Sequence, residues 1–275
     1  MSVKRLLIMG LLGVLLLGVG VTTVGLVDLF RDPSGSAAAR PDPFVSDAPS
    51  VSGSDTPTGV RRTTSPAPEP MPTTARPEVS YPQAGGGKWT IATGRTTISG
   101  RAGRLMRFQV AVEKEISGVD AVQFAAQVFA TLGDPRGWTA GGGFRFQRVG
   151  PGEPRDFTVY LATPATRDAL CADGYDRYTS CRKGDRVVLN VARWAVGVPH
   201  YGADLDVYRA YMVNHEVGHR LWQGHELCPG KGRLAPVMQQ QTLGLHGCVA
   251  NAWPYVDGSR YAGRSGAYDD PVPRV

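Results

Sequence analysis

The sequence predicts an α+β domain after residue 87, a twisted mixed sheet packed with two main helices. Short apolar runs of strand length recur in this part, and two segments carry apolar residues at helical spacing. The residues before it, apart from one long apolar run at the N-terminus, have no such periodicity.

Length allows one domain with extra segments, or two small domains. Of 21 prolines, 11 fall between Pro33 and Pro82, so a disordered-type composition sits beside a globular one and a single folded domain is the better count. At the N-terminus, Lys4 and Arg5 precede an uncharged run from Leu6 to Val27. At 1.5 Å per residue that run makes about 33 Å of helix, enough to span a bilayer. It exceeds the roughly 7 to 15 residues of a signal-peptide core and ends in Asp28, Arg31 and Asp32. Residues 6–27 are therefore expected to form an uncleaved transmembrane signal anchor, with residues 1–5 cytoplasmic and the remainder extracytoplasmic. Residues 28–87, with stretches such as Ser65-Pro66-Ala67-Pro68-Glu69-Pro70, read as a disordered linker whose coil dimension is roughly 40 Å.

Residues 88–275 form the expected domain. Trp89 to Ala92 and Leu105 to Val112 read as strands, with Gly100 and Gly103 in the turn between them. Asp120 caps a helix through Val122, Phe124, Ala125, Val128 and Phe129, which Gly133 and Asp134-Pro135 stop. Strands follow at Phe144 to Val149, Phe157 to Ala162 and Val187 to Val191, the last preceded by Gly184-Asp185. From Leu205, apolar Leu205, Tyr208 and Met212 recur at helical spacing and lead to His215 and His219 on the same stripe.

The formal net charge is +6, but the basic residues are scattered rather than gathered on one face between aromatics, which argues against a nucleic-acid partner. Cys171, Cys181, Cys228 and Cys248 all lie in the globular part, and export favours disulfides. Pairing of neighbours, Cys171 with Cys181 and Cys228 with Cys248, closes short loops that each remove on the order of 3 kcal/mol of unfolded-state entropy. The rival, a cysteine-ligated metal, lacks any CxxC spacing.

The chemistry concentrates in His215-Glu216-Val217-Gly218-His219. Residues four apart on a helix lie about 6 Å apart at Cβ, so both imidazoles can reach one zinc ion. Glu216 is turned by one residue from the first ligand, free of the metal yet placed to take a proton from metal-activated water. The bland alternative is two histidines packed on an amphipathic helix. If the helix continued, His225 would be rotated about 240° from His219, so the chain must turn to make it a third ligand, and Gly224 permits a turn through positive φ. Glu226, His246 and Asp257 are the other candidates for that position.

The stretch from His215 to His225 resembles the metzincin zinc signature, HExxHxxGxxH, in its three histidines and its glutamate. Where that family has glycine this chain has Trp222, and Gly224 comes two residues later. Ala235-Pro236-Val237-Met238-Gln239 is similar to the methionine-containing turn that metzincins place beneath the metal, and Gln240 stands where some of them carry a tyrosine. The resemblance implies a metzincin-like zincin fold, zinc held by His215, His219 and His225, and Glu216 as the catalytic base and acid. The overall layout is also similar to that of uncharacterised actinobacterial membrane-anchored proteins. The expected function is a membrane-anchored extracytoplasmic zinc peptidase acting on peptides or cell-envelope proteins; the alternative is a non-catalytic zinc-stabilised envelope-binding domain. His200 is a weaker candidate for the cleft, and Arg193 and Trp194 for an edge that binds an extended peptide by strand addition.

Overall fold

Residues 78–274 are described by the computed structural model; the expected cytoplasmic N-terminus (1–5), the anchor (6–27) and the linker up to residue 77 lie outside the described residues. Among the described residues no helix is long and apolar enough to cross a membrane. The last part of the expected linker is tied to the domain. Ser80 pairs with Ser117, Gly85 N–H donates to Thr163 Oγ1 at 2.9 Å, and Gly87 N–H donates to Glu113 Oε1 at 2.9 Å. Glu113 is fully buried and also accepts from Thr163 N–H and the Thr166 hydroxyl, so a charge that would be costly alone is matched by donors.

The strands are β1 (Trp89–Ile91), β2 (Arg104–Glu113), β3 (Phe144–Arg148), β4 (Phe157–Ala162), β5 (Cys181–Lys183) and β6 (Arg186–Asn190). They form one mixed sheet in the order β1-β2-β4-β6-β5, with β3 also on β2. β2, β3, β4 and β6 are parallel, while β1 and β5 run antiparallel to their neighbours. The parallel pairs require crossovers, which α1 (Ala121–Gly133) and α2 (Pro164–Cys171) supply.

Alternation along the strands divides the core. Met106, Phe108, Val110, Val159, Leu161, Val187 and Leu189 face α1 and the long helix α4 (Leu205–Arg220). Ala162 and Val188 face the other way, toward Cys171 of α2. In α1 the Asp120 carboxylate accepts from the N–H groups of Val122 and Gln123, as its position before the periodic stretch predicts. The buried face of that helix is Phe124, Ala125, Val128 and Leu132, each of the larger side chains contributing about 1.5–3 kcal/mol by burial.

Two helices and an edge strand go beyond the expected elements. In α2 the sequence is short and low in apolar residues, and Pro164 at the first turn is its clearest signal. α3 (Val191–Val196) follows β6 without a loop: the Asn190 side chain accepts from Ala192 N–H and caps it, so the apolar run conceals the change from strand to helix. Arg193 and Trp194 are therefore on a helix and not on an edge, and Trp194 is buried edge-on against Phe124 at 4.8 Å. The edge belongs to β5, which returns to β6 through Gly184 at φ 61°.

Both expected disulfides are present, Cys171–Cys181 and Cys228–Cys248, with Cα separations of 6.1 and 5.9 Å. The first joins α2 to the start of β5. The second closes the loop that carries Met238.

Candidate metal centre

In α4, every residue from Tyr208 to Gly218 is buried, because the helix is enclosed by the sheet on one side and the segment from Ala235 to Ala252 on the other. Polar anchors fix its rotation. Tyr211 donates to Gln239 O at 3.0 Å, Asn214 Nδ2 to Ala252 O at 2.9 Å, and Trp138 Nε1 to Asn214 O at 2.9 Å.

The helix presents His215 and His219 one turn apart, and the chain brings His225 back to them. His219 Nε2 lies 3.2 Å from His215 Nε2 and 3.1 Å from His225 Nε2. His215 Nδ1 is 2.8 Å from Val237 O, and His219 Nδ1 is 2.9 Å from Gln223 O. A carbonyl can only accept, so both Nδ1 atoms carry the proton and both Nε2 atoms present lone pairs. The 3.2 Å contact between those two Nε2 atoms then has no proton to share, and the arrangement has the chemistry of a cation site rather than of a hydrogen bond. Burial, with the neighbouring imidazoles, holds His215 well below the ordinary histidine range and takes His225 to about 4. Burial also lowers His219. All three imidazoles are thus neutral near pH 7, the form in which they could bind a cation.

The return of His225 is made by a residue other than the expected one. Past the end of α4, Gln223 N–H bonds Gly218 O and Trp222 N–H bonds His219 O, the pattern of a Schellman cap. Trp222 occupies its left-handed position at φ 63°, while Gly224 is absent from the positive-φ residues. The turn therefore falls where the metzincin signature has glycine, with tryptophan in that role. Trp222 is exposed, with the Arg104 and Arg220 guanidinium groups 5.6 and 5.5 Å from its ring. A left-handed conformation costs a side chain with Cβ about 1 kcal/mol or more. Trp222→Gly is accordingly expected to be about 1 kcal/mol more stable than Trp222→Ala in urea unfolding; equal midpoints would mean that the turn is not left-handed in solution.

Beneath the helix, Gln239 N–H bonds Pro236 O and closes a tight turn. Val237 in this turn offers its carbonyl to His215, and Met238 offers its own to Glu226 N–H. Met238 is fully buried against Gly218. A Cβ at Gly218 would overlap the Met238 sulfur and stand 2.8 Å from Trp138 Cζ2, so glycine is what lets the turn approach the helix.

Glu216 is buried beside the three histidines, and its Oε2 has no hydrogen-bond partner among the described residues. Burial raises its pKa to about 8, against the pull of Arg167 and Arg182. Glu216 lines a cleft of about 360 Å³ together with His215, His219 and His225. Arg167, Asp173, Asp176 and Arg182 form part of the cleft wall, and Tyr211, Gln240 and Thr242 also line it. None of these was singled out as a cleft residue by spacing. The one available signal for the first four is their clustering around the Cys171–Cys181 loop.

The other sequence candidates are engaged elsewhere. His200 is exposed, with Nε2 at 3.0 Å from Gln241 O. Glu226 is paired with Arg260 at 2.8 Å, and His246 with Asp270 at 2.7 Å. Asp257 sits in the turn between the short strands β7 (Tyr255–Val256) and β8 (Ser259–Arg260). A second group with metal-ligand atoms, Cys171, Asp173 and Cys181, has its cysteines in a disulfide and so offers no thiolate.

A family model described as "Protein of unknown function (DUF3152)" matches residues 75–253, a span that contains the three histidines, Glu216, Met238 and both disulfides. No curated protein and no solved structure matches the chain.

Proposed function

We propose that this chain, which belongs to the DUF3152 family, is a zinc-dependent peptidase of metzincin-like design, anchored in a membrane by residues 6–27 with its domain on the extracytoplasmic side. The observation that carries the reading is the convergence of three imidazoles, with His219 Nε2 at 3.2 and 3.1 Å from Nε2 of His215 and His225 and the three ligand atoms within 4.8 Å of one another, beside a buried carboxylate oxygen with no partner among the described residues. Tetrahedral zinc with Zn–N of about 2.0–2.1 Å sets its nitrogens about 3.3 Å apart, close to this spacing. Cysteines are absent from the cluster, and three neutral imidazoles with an open side match the donor set of catalytic rather than closed structural zinc.

His215, His219 and His225 would hold the ion, with Val237 O and Gln223 O fixing the orientation of the first two rings. Zinc, when bound, supplies a Lewis acid for the substrate carbonyl and an acidified water. Burial holds the Glu216 carboxyl up at about 8 without a metal; a bound cation's charge would favour its ionised form, in which Oε2 would take a proton from the attacking water and return it to the leaving amine. An extended peptide or a strand of an envelope protein can align on the free edge of β5, whose Cys181 and Arg182 line the cleft. The turn carrying Met238 beneath Gly218 supports the metzincin comparison. Gln240 stands in place of the auxiliary tyrosine, and no such role is assigned to it.

The alternative, a zinc-stabilised binding domain without catalysis, requires a closed coordination sphere; the cleft that opens on the histidines favours the peptidase. Hydrolysis of a quenched fluorogenic casein or peptide mixture that stops with a chelator and returns with one equivalent of zinc is the expected result. Stoichiometric zinc without any hydrolysis would select the binding domain instead.

A further inference from the structure

Four charged side chains of the cleft wall differ sharply in how they are satisfied. The Arg167 guanidinium is almost completely buried and meets Asp173 through both carboxylate oxygens, at 2.9 and 3.0 Å. It also meets Asp168 at 3.1 Å and Asp176 at 3.0 Å. Asp176 Oδ1 accepts in addition from the N–H groups of Tyr178 and Thr179, at 2.7 Å each. Asp168 Oδ1 accepts from Arg177 N–H at 2.9 Å. These carboxylates are spent on holding the loop between the bridged cysteines, and Arg167 has no donor to spare for a ligand.

Arg182 is the exception. It is exposed, it lines the same cleft, and it forms no ion pair or side-chain hydrogen bond among the described residues. Its direction follows from the register. Cross-strand partners share a face, and Arg182 pairs with Val187, a residue of the core on the α4 side, whereas its neighbour Cys181 pairs with Val188 on the α2 side. The arginine thus projects over the histidine helix, on a strand pinned one residue earlier by the Cys171–Cys181 bridge. Its charge acts on both Glu216 and His219.

We infer that Arg182 is a specificity-determining residue that selects substrates bearing a carboxylate close to the bond that is cut. A guanidinium offers a planar fork matched to a carboxylate, and a strand edge that aligns the peptide backbone puts this fork beside the substrate at a set register. Either an acidic side chain or a free C-terminal carboxylate supplies that chemistry. The inference rests on the peptidase reading for its substrate class.

The test uses the zinc-loaded domain in a Glu216→Gln background, so that peptides are bound and not consumed. The probes are amidated hexapeptides alike except for one Glu, Gln or Lys moved through the positions, plus the Gln peptide with a free C-terminal carboxylate, with binding followed by calorimetry. Glu at one position is expected to bind about tenfold more tightly than Gln there, with Lys weakest, and the preference is expected to shrink in high salt. Arg182→Gln is expected to abolish the Glu-over-Gln ratio, and Arg182→Glu to turn it toward Lys. Tighter binding of the free-carboxylate Gln peptide than of every internal Glu peptide assigns the site to a chain end rather than a side chain. Equal or unmeasurable affinity for all probes, or a Glu preference unchanged by both substitutions, overturns the inference. A Glu preference that depends on Arg182, in a protein whose wild-type form cuts none of these peptides, keeps Arg182 as the carboxylate-selecting residue of the cleft and counts against the peptidase reading alone.

Discussion

Glu216→Gln is expected to lower peptide hydrolysis at least about a hundredfold while leaving zinc content unchanged. A positioned general base contributes on the order of 10²–10⁴ in rate, and the carboxamide has the same shape but cannot take the proton. The fold should tolerate the change well, because the native carboxylate is buried and Oε2 has no partner among the described residues. The sign of the stability effect follows from the same burial. In the metal-free protein Glu216 has its pKa raised from 4.5 to about 8, so the folded state resists ionisation that the unfolded state accepts. The wild type therefore loses stability relative to the glutamine variant as pH rises from about 4.5 toward 8, and the two converge below that window. Parallel urea titrations at pH 4 and pH 8 read the difference. Full activity in the variant would remove Glu216 from the mechanism, and a stability gap that is larger at pH 4 would contradict its buried state.

Loss of a ligand has the second large effect. His219 is the histidine within 3.2 Å of both others at Nε2, so His219→Ala removes the group through which the cluster is joined. Its zinc affinity is expected to fall by more than the roughly 10–100-fold that loss of a partner behind a ligand costs, and hydrolysis should drop to background. Competition against a chromophoric chelator measures the first quantity directly. His246→Ala makes the contrasting control. That imidazole is stacked on Tyr268 and paired with Asp270, away from the cluster, and its removal should leave zinc affinity as it was. Equal losses in the two variants would mean that the ion is held somewhere else.

Where local chemistry and tertiary structure agree, the elements could be read directly. Asp120, the spacing of Phe124, Ala125 and Val128, and the stop at Gly133 and Asp134 mark α1, which runs from Ala121 through Gly133 with Asp134 as its cap. The runs behind β2 and β4 mark strands that are buried on both faces or nearly so. That His215 and His219 share one helix stripe was equally legible, because i and i+4 positions coincide in any helix.

The remainder depends on partners distant in sequence. β5 is three residues, Cys-Arg-Lys, with no apolar alternation; it exists because β6 offers an edge and a disulfide holds its start. The short α2 packs on the far face of the sheet through Leu170 and Cys171. The turn to His225 shows the conflict most clearly. Local preference assigns a left-handed position to Gly224, yet two hydrogen bonds from the end of α4 impose it on Trp222. A residue that violates its own backbone preference three positions before His225 is a local disagreement that fits the proposed site. Arg182 was invisible for a different reason: a lone arginine in a polar stretch acquires meaning only when the register places it over the histidines.

The central claim is that His215, His219 and His225 hold one zinc ion at a site open to the cleft. X-ray absorption at the zinc edge on the purified extracytoplasmic domain tests it most directly. The account predicts one zinc per chain, three imidazole nitrogens at about 2.0–2.1 Å, one oxygen ligand from solvent and no sulfur. Zinc bound by sulfur, four protein nitrogens with no exchangeable position, or a protein that retains no zinc at all would contradict it.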